Sequence, residues 1–251
     1  MVAGSPGPRA RSERAPDADR VVTTAFTDRR GGVSAPPYDG LNLGTHVGDD
    51  PLAVAENRVR TAARLGLDPD RVVWMEQVHG ARVEVVDGPR SEPVPATDAV
   101  VTAVPGLALA VLVADCVPVL LACRRTGVVA AVHAGRRGVE AGVVDAALDA
   151  MAALGARPAT TSAELGPSVC GGCYEVPADL RDAVAAVAPD AATTTRWDTP
   201  GLDLRRGLLG RLAQRGVSAR TVGGCTVETP SLYSHRRDQP TGRSAGYVWS
   251  A

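Results

Sequence analysis

The spacing of apolar positions changes several times along the chain, and each change marks an element. Over residues 51–65 it is helical, with Val54, Val59 and Leu65 recurring, Asp50 as N-cap, Pro51 in the first turn and Gly66 as terminator. Val-rich runs bounded by Gly, Pro or Asp follow at 71–79, 83–87, 98–103, 107–123 and 127–133, the pattern of strands. The longest of these must break, and Pro118 is the expected breaking point. After His133 the chain turns through Ala134-Gly135-Arg136-Arg137-Gly138, then places Val143, Ala147, Met151 and Leu154 on one face of a helix that Gly155 ends. Further helices are expected over 178–187 and 203–215, and further strands over 163–169, 221–228 and 246–249. Residues 29–40 hold too much Gly and Pro for regular structure and read as a loop, a common place for function. Strands in groups with helices between the groups predict an α+β fold.

With 251 residues, 45% of them apolar, the chain suffices for one domain with a sizeable core. Residues 1–20 mix Arg, Pro, Ser, Asp and Glu without an apolar stretch, so they read as a disordered tail and residues 21–251 as a single catalytic domain. The 27 basic and 28 acidic side chains nearly cancel, so neither nucleic acid nor an anionic membrane surface is an expected partner. Every basic residue is Arg; without Lys, Schiff-base enzymes, pyridoxal-phosphate attachment and Walker-type phosphate loops are excluded. The longest apolar run, Val104 to Cys123, is interrupted by Asp115, which argues against a membrane span. Five cysteines, an odd number without an export signal, point to reduced thiols and a cytoplasmic location.

The candidate chemistry lies where predicted strands end. His79, Cys116 and His133 each occupy such an end, and two imidazoles with a thiolate are donors that Zn²⁺ favours. Three protein ligands leave an open position, the mark of a catalytic metal site. A structural strand-end His and a core Cys are the alternative reading of the same residues. Gly135, Arg136, Arg137 and Gly138 open a helix with exposed N–H groups beside guanidinium forks, a site for phosphate; a solvated pair of arginines near a Gly turn is the other reading. Arg29, Arg30, Arg236, Arg237 and Arg243 either converge on the same anion or are surface charge. Cys170-Gly171-Gly172-Cys173 has the gap of a metal or redox pair that Cys225 would complete; incidental cysteines in a Gly-rich turn are the other reading.

Motifs in order along the chain complete the picture: Asn42-Leu43-Gly44, His46-Val47-Gly48-Asp49-Asp50, Gln77-Val78-His79-Gly80, Ala114-Asp115-Cys116, His133-Ala134-Gly135, Tyr174-Glu175-Val176 and Arg236-Arg237-Asp238. From Val21 to Trp249 the sequence resembles the YfiH-type family, also called polyphenol oxidoreductase or laccase-domain proteins. The resemblance implies a layered sandwich of mixed β-sheets covered by helices. It also implies metal-dependent phosphorolysis of adenosine, inosine, guanosine and methylthioadenosine, adenosine deamination, and zinc held by His79, Cys116 and His133. In that reading Cys116, His133, Arg137 and Glu175 are catalytic, with Asp115 a second candidate beside Glu175 to protonate the purine. Arg29, Asn42, Gly135, Gly138 and Arg236 bind the nucleoside and phosphate. The sequence departs from the family at Arg136, where Trp is usual, and at His235, where an aromatic is more common. Two rival chemistries use the same residues. One is a cysteine hydrolase or amidase acting on peptidoglycan precursors, with Cys116 as nucleophile and His133 as base. The other is copper-dependent phenol oxidation, which four histidines and the internal methionines Met75 and Met151 serve poorly.

Overall fold

The structure, a computed structural model, describes residues 19–251. Most of the expected tail lies outside the described residues; Arg20 within it donates its backbone N–H to Arg124 O. Among the described residues twelve strands form: β1 (Val22–Phe26), β2 (Val72–Val73), β3 (Val83–Val85), β4 (Ala99–Thr102), β5 (Ala108–Val113), β6 (Val117–Cys123), β7 (Val128–Ala134), β8 (Thr161–Leu165), β9 (Ala192–Thr194), β10 (Pro200–Leu202), β11 (Ser218–Thr221) and β12 (Ser244–Ser250). One sheet has the order β1-β12-β5-β2, another β11-β8-β6-β7-β4-β3, and β9 pairs with β10 alone. Both larger sheets are mixed: β2 and β3 run parallel to β5 and β4, while β12 and β7 run antiparallel to their neighbours.

The two-residue period of the central strands explains how the layers stack. Leu109, Val111 and Val113 of β5 meet Leu120 of β6 and Val129 and Ala131 of β7 between the sheets. The alternate residues face outward. Val119, Leu121, Ala130 and Val132 pack under α3 (Val143–Ala153) and α5 (Leu204–Gln214), while Ala110, Leu112 and Tyr247 pack with Leu41, Leu43 and Leu65, the last residue of α1 (Pro51–Leu65). A helix–sheet–sheet–helix sandwich results, the α+β layering expected above. Because both faces of β5, β6 and β7 are covered, their sequences read as continuous apolar runs. No helix among the described residues is long and apolar enough to cross a membrane.

Several boundaries differ from the sequence reading. The run 107–123 breaks at Ala114–Cys116, and Pro118 lies inside β6, where its carbonyl accepts from Gly166 N–H. At the second residue of a strand, just beyond the β8 ladder, a missing N–H costs little. The expected helix after Gly135 is two helices, α2 (Arg136–Glu140) and α3, divided at Gly142, whose φ of 77° is left-handed. Only Val72 and Val73 of the run 71–79 join a sheet. Of the run 221–228 only Thr221 is in a strand, as the last residue of β11, and the rest is irregular. In α1 the buried stripe is Val54, Asn57, Thr61 and Ala62, whereas Val59 is exposed. Asn57 belongs inside because its side chain binds Val33 N–H, Ser34 Oγ and the carbonyls of Gly40 and Asn42, which ties the 29–40 loop to the helix. The helix at 178–187 appears as α4 (Ala178–Val187).

Candidate active site

Strand parity places the first histidine of the site. Val132 and Ala134 of β7 turn toward the helices, so His133 between them turns toward the inter-sheet side, at the end of that layer. Cys116 arrives from the tight connection between β5 and β6, where Asp115 adopts φ of 88°. His79 arrives from the irregular segment after β2, with φ of 62°. Donor atoms of these three residues all lie within 4.8 Å of one another, and the His79 and His133 rings meet edge to face at 4.7 Å between centroids.

Asp98, fully buried just before β4, organises the group. Its carboxylate accepts the backbone N–H groups of His79 at 2.9 Å and Gly80 at 2.6 Å, and binds His133 Nδ1 at 2.8 Å. These bonds hold His79 in a backbone conformation that a bulky residue ordinarily avoids. They also leave His133 Nε2 as the nitrogen free for a ligand. Burial acts to raise the Asp98 carboxyl, but the hydrogen bonds from His133, Gly80 and His79 outweigh it and keep the group ionised below its ordinary range. Burial likewise acts to raise the Cys116 thiol, yet the adjacent His133 and His79 bring it down to about 6. His133 is pushed up despite its burial, by the Cys116 sulfur and by Asp98.

The donor set fits a metal ion. Two imidazoles and a low-pKa thiol suit a borderline-soft divalent cation, with a buried carboxylate orienting one ring. Gly135 supplies the room: a Cβ there would sit 2.9 Å from His79 Cδ2 and 3.0 Å from Cys116 Sγ. Since Gly135 has φ of −77°, alanine is conformationally free there and its only penalty is steric. Gly135→Ala should therefore weaken metal binding by about 5- to 150-fold, the equivalent of about 1–3 kcal/mol of overpacking. Thermal stability of the metal-free protein should fall far less; titration of apoprotein with Zn²⁺ alongside calorimetry checks this, and unchanged affinity would mean that Gly135 does not shape the site.

The triad opens into a cavity of about 560 Å³. Its walls present Arg136, Arg236, Arg243, His46 and Tyr174. Arg236 lies over the Tyr174 ring at 4.9 Å, and its backbone N–H donates to Asp115 Oδ2 at 2.6 Å. Asp115 Oδ1 accepts from Thr226 Oγ1 at 2.6 Å, so both carboxylate oxygens are engaged. Arg243 donates to the carbonyls of Thr241 and Gly242, and burial lowers its pKa. Burial, followed by Arg243 and Arg58, also lowers the pKa of His46.

The remaining residues singled out in the sequence are distributed differently. Arg137 is exposed and not part of the cavity wall, whereas Arg136, paired with Glu140 at 2.7 Å, is part of it. Glu175 is exposed on a shallow neighbouring groove that also touches Arg236. Arg29 lies outside the cavity, paired with Asp39 at 2.7 Å and stacked over Tyr233. Asn42 is fully buried; its side chain binds Asp49, the backbone of Gly44 and Arg243 N–H, and so holds Arg243 just before β12. Gly138 permits close packing, because a Cβ there would approach Gly80 O at 3.1 Å. Asp98, Tyr174 and His46 received no individual role from the sequence. His46 and Tyr174 lie inside quoted motifs, while Asp98 had no local signal.

Comparison with known proteins follows the same outline. Residues 23–251 match the model of a family described as multi-copper polyphenol oxidoreductase laccase. A purine nucleoside phosphorylase of Streptomyces griseus is 58% identical over 228 residues, which cover 90% of this chain and 93% of that protein. One of Streptomyces coelicolor is 60% identical, covering 89% and 93%. The crystal structure of the hypothetical protein YfiH of Bacillus licheniformis superposes with a TM-score of 0.85 at 30% identity, covering 91% of this chain and 92% of that one.

Proposed function

The chain belongs to the multi-copper polyphenol oxidoreductase laccase family, and on that premise we propose that it is a zinc-dependent purine nucleoside phosphorylase that also deaminates adenosine. Its substrates are adenosine, inosine, guanosine and methylthioadenosine, with inorganic phosphate as co-substrate. The carrying observation is the convergence of His79, Cys116 and His133 at a cavity whose walls bear three arginines. A volume of about 560 Å³ suits a nucleoside with phosphate. The names of the Streptomyces relatives agree with this reading.

Zinc at the triad supplies Lewis-acid activation of an oxygen nucleophile. The chain supplies binding and orientation. Arg136, Arg236 and Arg243 hold phosphate against the face of the ribose where C1′ reacts, and their charge offsets that of the incoming anion. Asp115 fixes the Arg236 backbone, and Asn42 fixes that of Arg243. Since both Asp115 oxygens are engaged and Glu175 is outside the cavity, the proton for the departing purine is assigned to Tyr174, whose hydroxyl is held protonated by burial. Copper oxidation of phenols fits less well: Met75 and Met151 are buried in the apolar clusters and offer no weak axial ligand at the triad.

One observation favours a second reading, a cysteine hydrolase acting on peptidoglycan precursors: Cys116, His133 and Asp98 form a thiol–imidazole–carboxylate series. That chemistry gives no role to His79, which the structure holds beside the thiol in a left-handed backbone. The metal reading uses it.

The deciding experiment is adenine release from adenosine with and without phosphate, with metal content measured on the same preparation. Arg136→Ala should lower kcat/KM for phosphate by about 10- to 150-fold, the equivalent of losing a charged hydrogen-bond partner worth about 1.5–3 kcal/mol. Inosine formation, which uses water, should fall less, and exposed Arg137→Ala should remain close to the parent in both. Adenine release that needs no phosphate would refute phosphorolysis, and equal losses in Arg136→Ala and Arg137→Ala would move the anion out of this cavity.

A further inference from the structure

Away from the triad, a second set of donors meets behind the cavity wall. Cys170, Cys173, Cys225 and Glu228 each offer an atom, and all four atoms lie within 4.8 Å of one another. Sulfurs around a tetrahedral zinc stand about 3.8 Å apart, given Zn–S bonds of about 2.3 Å, so a small contraction closes the group. We propose that Cys170, Cys173 and Cys225, with Glu228 as fourth ligand, form a structural zinc site separate from the catalytic one.

The local backbone is built for it. Cys170 and Cys173 flank a tight turn in which the Cys173 and Tyr174 N–H groups both donate to Cys170 O. Cys225 and Glu228 flank a second turn with the same two-residue gap, closed by Thr229 N–H to Cys225 O. A bridge between Ser168 and Cys225 holds the turns side by side, and Cys170 N–H donates to Cys225 Sγ at 3.3 Å. No disulfide joins any of these cysteines. Cys173 and Cys225 are buried.

Arg196 completes the charge balance. It donates to Cys173 Sγ at 2.8 Å and pairs with Glu228. Three thiolates and a carboxylate around a divalent ion carry net negative charge, which the guanidinium offsets. The ion pair with Glu228 is largely exposed and weak, so the carboxylate is free to turn to the metal. A filled site would clamp the segments that carry Val169 and Tyr174 to the cavity, since both lie beside this knot.

The test is a count of metal on the intact chain, purified without added metal, by elemental analysis and native mass spectrometry. The parent should carry two zinc ions. Cys170→Ser/Cys225→Ser should carry one, and Cys116→Ser should also carry one. A parent count of one that the double substitution leaves unchanged would overturn the proposal, as would a parent lacking zinc at this cluster with a mass two hydrogens short from a disulfide. If the double variant does not fold, Cys116→Ser alone decides: one retained zinc supports the site, and none refutes it.

Discussion

Cys116→Ala is expected to lose the catalytic-site metal and, with it, both adenine release and inosine formation. Only His79 and His133 would remain, and two imidazoles hold a divalent ion poorly. Lewis-acid activation is worth several kcal/mol, so a loss on the order of a thousandfold or more is expected in each activity. The same loss follows if Cys116 is a nucleophile, so the informative variant is Cys116→Asp. A carboxylate ligates zinc but does not replace a thiol in acyl transfer. Partial recovery of zinc and of adenine release in Cys116→Asp, relative to Cys116→Ala, is the expected outcome. Recovery of zinc without any activity would favour the cysteine hydrolase.

What the sequence made legible follows from the range of the forces involved. The helix from Pro51 to Leu65 is written locally, by an Asp cap, a Pro in the first turn and a Gly at the end, and it forms within those bounds. Its buried face was harder, because Asn57 is inside for the sake of bonds to residues more than ten positions away. The ends of β5 and β7 were legible as sites of chemistry, since strand ends carry side chains out of the ladder while the alternation still fixes their direction. Pro118 misled, because its cost depends on which neighbour its missing N–H faces, and that neighbour, β8, lies more than forty residues on. The arginine that lines the cavity is one position from the one the sequence favoured, for a related reason. Arg136 and Arg137 begin the same short helix, and successive residues there point about 100° apart. Only the phase set by Gly135, packed against the triad, decides that Arg136 enters the cavity.

Asp98 is the residue whose role was least visible and whose removal should cost the protein most stability. It stands 19 positions from His79 and 35 from His133, in a segment that reads as an ordinary strand entry. Asp98→Ala would leave the N–H groups of His79 and Gly80 and the Nδ1 of His133 without their partner in a fully buried place. Breaking a buried charged network of this kind costs about 3–5 kcal/mol. In a domain of this size that lowers Tm by roughly 6–20 °C. Stability alone would not separate scaffolding from site geometry, so Asp98→Asn is the sharper probe. The amide keeps the shape and one acceptor oxygen, but its NH₂ must face N–H donors from the 78–80 backbone or the ring of His133. Its Tm should fall less than that of Asp98→Ala. Zn²⁺ affinity at the triad should nevertheless drop about 10- to 100-fold, the usual effect of losing the group that orients a ligating histidine. Asp98→Asn with parental zinc affinity and a lowered Tm would reduce the residue to a structural support, and the triad would then owe its geometry to Gly135 and the strand ends alone.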